Sequence, residues 1–172
     1  MEGVFVRLEG NRLIIRKFNL DMAYDVHINS LDEDNRKFVP DEVFETVEEA
    51  KDTIEFLMSR YDSNDGPFVY PVFLKSGENI GYVQLINLED SYEIGYHIAK
   101  KYTCNGYAKE ALNLFLEYIM NDKGLSEVLG ICIKENIASC KVLEKCGFEL
   151  FFSGVGSYQG EKKEICKYIY RR

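Results

Sequence analysis

Apolar and polar positions change period along the chain, and each change marks an element. Residues 12–17 set Leu13, Ile14 and Ile15 between charged flanks, which predicts a first strand. Residues 21–30 predict a short helix, and Asp32-Glu33-Asp34-Asn35 reads as an acidic loop. Thr46 with Glu49 three residues later has the spacing of a capping box. Val47, Ala50, Ile54, Leu57, Met58 and Tyr61 follow at helical intervals. A turn-rich break at 62–67 precedes strands at about 68–75 and 79–87, joined through Ser76-Gly77. In 92–98, Tyr92, Ile94, Tyr96 and Ile98 alternate with Glu93, Gly95 and His97, so the two sets take opposite faces of a strand. Gly95 inside that run predicts a bulge or a close approach.

The strongest helix is 106–121, where Ala108, Ala111, Leu112, Phe115, Leu116, Ile119 and Met120 make one stripe. A strand at 127–133 follows, then a helix at 137–146 capped by Asn136 and stopped at Gly147. Strands at about 148–153 and 163–170 end the chain, with Phe148, Phe151 and Phe152 read as core. The order is strand, helices, three strands, helix, strand, helix, two strands. That order predicts a mixed α/β fold in one domain spanning 1–172, within the roughly 100–200 residues usual for a domain.

Composition narrows the function. Lys and Arg number 21 against 29 Asp and Glu, a formal net charge of −8. A basic excess is the footprint of nucleic-acid binding, and this chain has the reverse. Its acidity suits solubility, or a cationic substrate. No apolar run has the length of a membrane span, and Arg7 interrupts the opening Gly3-Val4-Phe5-Val6. Five cysteines without a C-x-x-C pair, and two histidines, predict neither a metal site nor a disulfide framework. Reduced thiols point to the cytoplasm. A Cys104–His nucleophile pair is the reactive alternative to incidental thiols.

The chemical signal lies between Ile98 and Glu110. A strand ends, Thr103-Cys104-Asn105-Gly106 turns, and the long helix begins. A helix N-terminus offers unpaired N–H groups and a positive dipole end, and a glycine there lets a ligand approach the backbone. Phosphate is the natural guest. Lys100, Lys101 and Lys109 add positive charge, while neither common nucleotide-binding glycine fingerprint is present.

The run from Thr103 to Ala108, continued by Lys109-Glu110-Ala111, resembles the acetyl-CoA pyrophosphate loop of the GNAT N-acetyltransferases. Asn136-Ile137-Ala138-Ser139, then Leu143-Glu144-Lys145-Cys146-Gly147-Phe148, is similar to a later helix and strand of that family. The resemblance is strongest to ribosomal-protein N-terminal acetyltransferases of the RimJ/RimL kind. Residues 11–16 and 92–98 resemble their first and fourth strands.

The resemblance implies a GNAT acyl-CoA N-acyltransferase fold, a mostly antiparallel twisted sheet splayed between strands four and five. It implies acetyl-CoA as co-substrate, a protein N-terminus or small amine as acceptor, and direct transfer in a ternary complex. It leaves a homodimer open. The pyrophosphate would sit on Thr103, Cys104, Asn105, Gly106, Tyr107 and Ala108. The pantetheine arm would run along Tyr96, His97 and Ile98, with Asn136 and Lys141 also on the cofactor. Glu93 is the first candidate base, and His97 the second because its intrinsic pKa lies near 6.5. Ser139 is the candidate proton donor. Two positions depart from the pattern. Thr103 replaces the usual Gln or Arg, and Leu143 stands where many members have a tyrosine acid. A non-catalytic acyl-CoA-binding module on the same fold is the alternative, and a phosphate-binding interaction domain is a third.

Overall fold

The computed structural model describes residues 6–172; Met1 to Phe5, with most of the opening apolar run, lie outside the described residues. The chain runs β1 (Arg7–Glu9), β2 (Leu13–Arg16), α1 (Ala23–Ser30), α2 (Glu33–Phe38), α3 (Val47–Arg60), β3 (Phe68–Leu74), β4 (Asn79–Asn87) and β5 (Tyr92–Ile98). It continues through α4 (Tyr107–Asn121), β6 (Glu127–Ile133), α5 (Ile137–Lys145), β7 (Glu149–Tyr158) and β8 (Glu161–Arg171). The eight strands form one sheet in the order β1-β2-β3-β4-β5-β6-β8-β7. The neighbours are antiparallel except β5 and β6, which run parallel. Those two meet in register only at Glu93↔Leu129. Beyond that pair they part, which is the splay expected between the fourth and fifth predicted strands.

Helices cover both faces. Val69 of β3 lines a cavity with Ile54 and Leu57 of α3, whereas the next residue, Tyr70, stacks edge-on against Phe115 of α4. Successive strand residues point to opposite faces, so α3 and α4 lie on opposite sides of the sheet. The stripe read along α4 is its buried face: Ala111, Leu112, Phe115 and Ile119 have no exposed surface. Each large member stabilises the fold by about 1.5–3 kcal/mol. The α3 start forms as spaced: Thr46 Oγ1 accepts from the Glu49 amide, and the Glu49 carboxylate accepts from the Glu45 amide.

Three expectations are corrected, and of the two alternatives at Gly95 the close approach is the one that occurs. The acidic segment at 32–35 is not a loop: Asp32 caps α2 by accepting from the Asn35 amide, and Glu33 and Asp34 favour the positive end of that helix. No bulge occurs at Gly95, because β4 and β5 pair without a break from Gly81↔Ile98 to Asn87↔Tyr92. The glycine instead admits the Gln84 side chain, whose Nε2 would lie 2.6 Å from a Cβ there. Phe148 joins the core, but Phe151 and Phe152 are exposed, since β7 is the edge strand and its pairing with β8 shifts between Leu150 and Phe152. The last two strands also run longer than expected, closing through Gln159 and Gly160, both at positive φ.

Candidate active site

The long helix begins without a side-chain cap. Gly106, at φ 78°, is its N-cap, and Cys104 two residues before it has φ 64°. Two left-handed residues within three positions turn the chain sharply from the Lys100–Tyr102 turn into α4. Thr103, Cys104, Asn105 and Gly106 are all exposed, with Tyr107 and Ala108 half-buried behind them. The Asn105 side chain donates back to the Tyr102 and Thr103 carbonyls, and Thr103 Oγ1 donates to the Lys100 carbonyl. These bonds fix the loop while leaving the first-turn amides of α4 uncapped, the arrangement that holds an anion.

Arg12 reaches this loop from the start of β2, a role its sequence position gave no sign of. Its Nε and backbone amide donate to the two Glu110 oxygens at 2.7 and 2.8 Å. Its Nη1 donates to the Asn105 carbonyl at 3.0 Å, and the guanidinium lies 4.6 Å from the Tyr107 ring centre. The Nη2 atom lies 3.5 Å from where a Gly106 Cβ would be. Of the lysines expected to add charge here, Lys100 is paired with Asp34 at 2.7 Å, and Lys101 lies over the Tyr102 ring.

The parting of β5 from β6 opens a cleft of about 230 Å³. Glu93, Tyr96, Asn136 and Ser139 all line it. On the α5 side, Asn136 Oδ1 caps the helix by accepting from the Ser139 amide. The Ser139 hydroxyl lies 2.9 Å from the Tyr96 hydroxyl, which also donates to the Ser139 carbonyl. Burial pushes the Tyr96 phenol up, so it keeps its proton at neutral pH. Leu143, at the position of the missing tyrosine, packs against Gly130. The Tyr96 phenol instead enters the cleft from β5.

On the other side stand the acids. Burial, and then repulsion by Glu42, pushes Glu93 up to about 7, with Lys167 opposing. Burial also raises Glu42, against the pull of His97 and a bond from Gln84. Glu42 comes from the short turn Pro40–Glu42, and no spacing in the sequence separated it from the other acidic residues around it. Tyr158 and Gln159 enter the cleft from the closing hairpin, another contribution not visible in the sequence.

His97 is set apart from Glu93. Its Nε2 lies 3.6 Å from Asp32 Oδ2, and its ring is beside Tyr82. Burial would raise Asp32, but the neighbouring His97 and hydrogen bonds from the Asn35 and Lys100 amides hold its carboxyl below the ordinary value. Ile98 is buried and Lys141 exposed on α5, so neither side chain enters the cleft lining. Four cysteines are buried and Cys104 is exposed. Burial pushes Cys132 up, and Cys146 up to about 11, which makes both poor nucleophiles.

Residues 12–149 match the family model described as an acetyltransferase (GNAT) domain. The chain is 32% identical over 139 residues to the uncharacterized N-acetyltransferase YnaD of Bacillus subtilis (strain 168), a match covering 79% of this chain and 78% of that protein. It superposes on a GNAT-family acetyltransferase from Bacillus anthracis with a TM-score of 0.83 and 27% identity, covering 96% of this chain and 98% of that one. A RimL ribosomal L7/L12 alpha-N-protein acetyltransferase in complex with coenzyme A superposes with a TM-score of 0.82 at 16% identity, over 96% and 98% of the two chains. At that identity the likeness concerns the fold.

Proposed function

The chain belongs to the acetyltransferase (GNAT) family, and on that premise we propose that it moves acetyl from acetyl-CoA to a primary amine by direct attack in a ternary complex. The observation that carries this reading is the two-sided cleft at the β5–β6 parting, with carboxylates on one side and the Tyr96–Ser139 hydroxyl pair on the other. The uncapped start of α4 stands beyond the end of β5, where it suits the pyrophosphate. RimL is named for work on an alpha-amino group and holds coenzyme A, which supports the same donor and a protein N-terminus as one kind of acceptor. The reduced thiols keep the proposed setting cytoplasmic.

The residues divide the work by where charge appears. An alkyl ammonium has a pKa near 10, so it must lose a proton before its nitrogen can attack. Glu93, poised at about 7, takes that proton directly or through water. Nitrogen bonds to the thioester carbon, the carbon–sulfur bond breaks, and the sulfur leaves as thiolate. Tyr96, backed by Ser139, gives the thiolate its proton and recovers one, directly or through water, from the nitrogen, which sheds its second proton as it becomes the amide, while Glu93 releases its own proton to solvent. Asn136 keeps its side-chain NH2 for the cofactor arm while its oxygen caps α5. No protein thiol is needed as acyl carrier, consistent with the raised Cys132 and Cys146.

A thermal-shift titration with acetyl-CoA, CoA, ATP and pyrophosphate tests the reading. A ligand at 100 times its Kd stabilises the native state by about 2.7 kcal/mol, roughly 5–11 °C for a chain of this size. Shifts with acetyl-CoA and CoA alone support it, and CoA release on adding amines separates an enzyme from a non-catalytic acyl-CoA-binding module. Equal shifts with simple phosphates, or none with CoA species, would overturn it.

Arg12→Ala should weaken acetyl-CoA about tenfold in the same titration. Arg12 braces the loop at Asn105 and Tyr107 and offers the cation that Thr103 does not supply. One charge-assisted contact has about that effect. An unchanged Kd would remove Arg12 from the cofactor site.

A further inference from the structure

The face of β4 opposite α4 carries a second, larger cavity of about 270 Å³. Phe18, Val26, Phe44, Ile54, Leu57 and Val69 make its apolar wall. An engineered apolar cavity of about 150 Å³ takes benzene, so the volume here admits an aryl group with a short chain. Glu42, Tyr82, Gln84 and Ile86 line both this cavity and the cleft that holds Glu93. The two spaces therefore share a wall, with an acid at the junction.

Resting on the acetyltransferase reading above, we propose that the acceptor is a primary amine bearing an apolar aryl or branched-alkyl group, which fills the cavity between α1, α3 and β4 while its nitrogen lies toward Glu42 and Glu93. Glu42 at the junction and Glu93 in the cleft beyond it favour the cation as it arrives. A polyamine or an amino sugar is the wrong guest. Its further ammonium or hydroxyl groups would lose water against a lining whose surface is mostly apolar, although Asn29, Ser30 and Asp41 also border it. The same chemistry occurs in a free arylalkylamine and in a peptide whose first residue is large and apolar.

The test measures CoA release and equilibrium binding to the CoA-saturated protein in parallel. The probes are methylamine, butylamine, 2-phenylethylamine, spermidine, kanamycin, and two peptides that begin with Phe or Ser. Each well-seated methylene changes kcat/KM by about 10-fold or more, so the simple series should climb at least 100-fold from methylamine to 2-phenylethylamine. The Phe peptide outrunning the Ser peptide would make a protein N-terminus the source, and the reverse balance with 2-phenylethylamine still ahead would make it a free amine. Thr53→Phe, which fills the cavity from α3, should lower the 2-phenylethylamine to methylamine ratio at least tenfold without changing acetyl-CoA affinity. A flat series, or spermidine or kanamycin outrunning 2-phenylethylamine, overturns the proposal and leaves the acetyltransferase reading standing. Tight 2-phenylethylamine binding that Thr53→Phe abolishes, with no CoA release from any amine, upholds the guest and overturns the catalytic reading instead. No binding and no release overturns both.

Discussion

Glu93→Gln is expected to lower kcat/KM for the amine by about 10²–10⁴-fold, the range of a lost general base, while acetyl-CoA affinity stays within about twofold. The reason lies in the position of Glu93. It stands on β5 at the last registered pair before the sheet parts, on the face shared with Gln84 and Ile86 across the strand. Burial first, and repulsion from Glu42 second, bring its carboxyl up to about 7. Only the ionised form accepts a proton, so wild-type kcat/KM should rise with pH through a midpoint near 7. The variant should lose that limb and keep only the rise that comes from the amine itself at higher pH. Glu42→Gln should move the limb to lower pH, because it removes the repulsion that helps to raise Glu93.

Stability should move the other way. The folded-state pKa of Glu93 lies above its ordinary 4.5, so between about 4.5 and 7 the folded chain holds a proton that the unfolded chain has released. Wild-type stability contributed by this group is therefore present below about 4.5 and is lost as pH rises through 7. Gln has no such loss. Urea unfolding at pH 8 should find Glu93→Gln more stable than wild type, by as much as about 3 kcal/mol at one unit per 1.36 kcal/mol, and the two should converge near pH 4. A merely structural carboxylate would give the stability change without the missing pH limb. Wild-type rates across pH would remove Glu93 from the chemistry.

How much of this was legible depended on whether a residue acts through its neighbours in sequence or across the sheet. The α4 stripe, the Thr46 cap and the alternation of β5 are local, and periodicity shows them directly. Asp32 misled because a capping aspartate followed by two acids has the composition of a solvated loop. Its role shows only once His97 and the Lys100 amide are seen to face it. The strand Arg7–Glu9 is too short to show a period. The cofactor loop was readable because its motif is contiguous. Glu42, Arg12 and Tyr96 as a hydroxyl donor were not. Each meets its partners from a distant segment: Glu42 with Gln84, Arg12 with Glu110, Tyr96 with Ser139. The exposed Phe151 and Phe152 fail for the same reason, since nothing in their own sequence says that β7 ends the sheet.

Gly106→Asp is expected to weaken acetyl-CoA by more than 100-fold, with the fold intact. The position combines three conditions. Its φ of 78° is one that aspartate and asparagine tolerate better than most side chains, so strain alone is modest. A Cβ there meets only the Arg12 Nη2 atom within 4 Å, so nothing in the fold has to move. The added carboxylate would stand at the uncapped helix start, compete for the amides offered to the pyrophosphate, and pair with Arg12. Like-charge repulsion and the loss of two kinds of donor then act together. Gly106→Asn supplies the control, because it has the same shape and backbone tolerance without the charge. It should cost about tenfold or less. The gap between the two variants should narrow as salt rises, since part of it is screened at an exposed site. Both should unfold at nearly the wild-type temperature without ligand. A folded Gly106→Asp that binds acetyl-CoA as wild type does would mean that the phosphates sit elsewhere, and the loop from Thr103 to Ala108 would lose its place in the site.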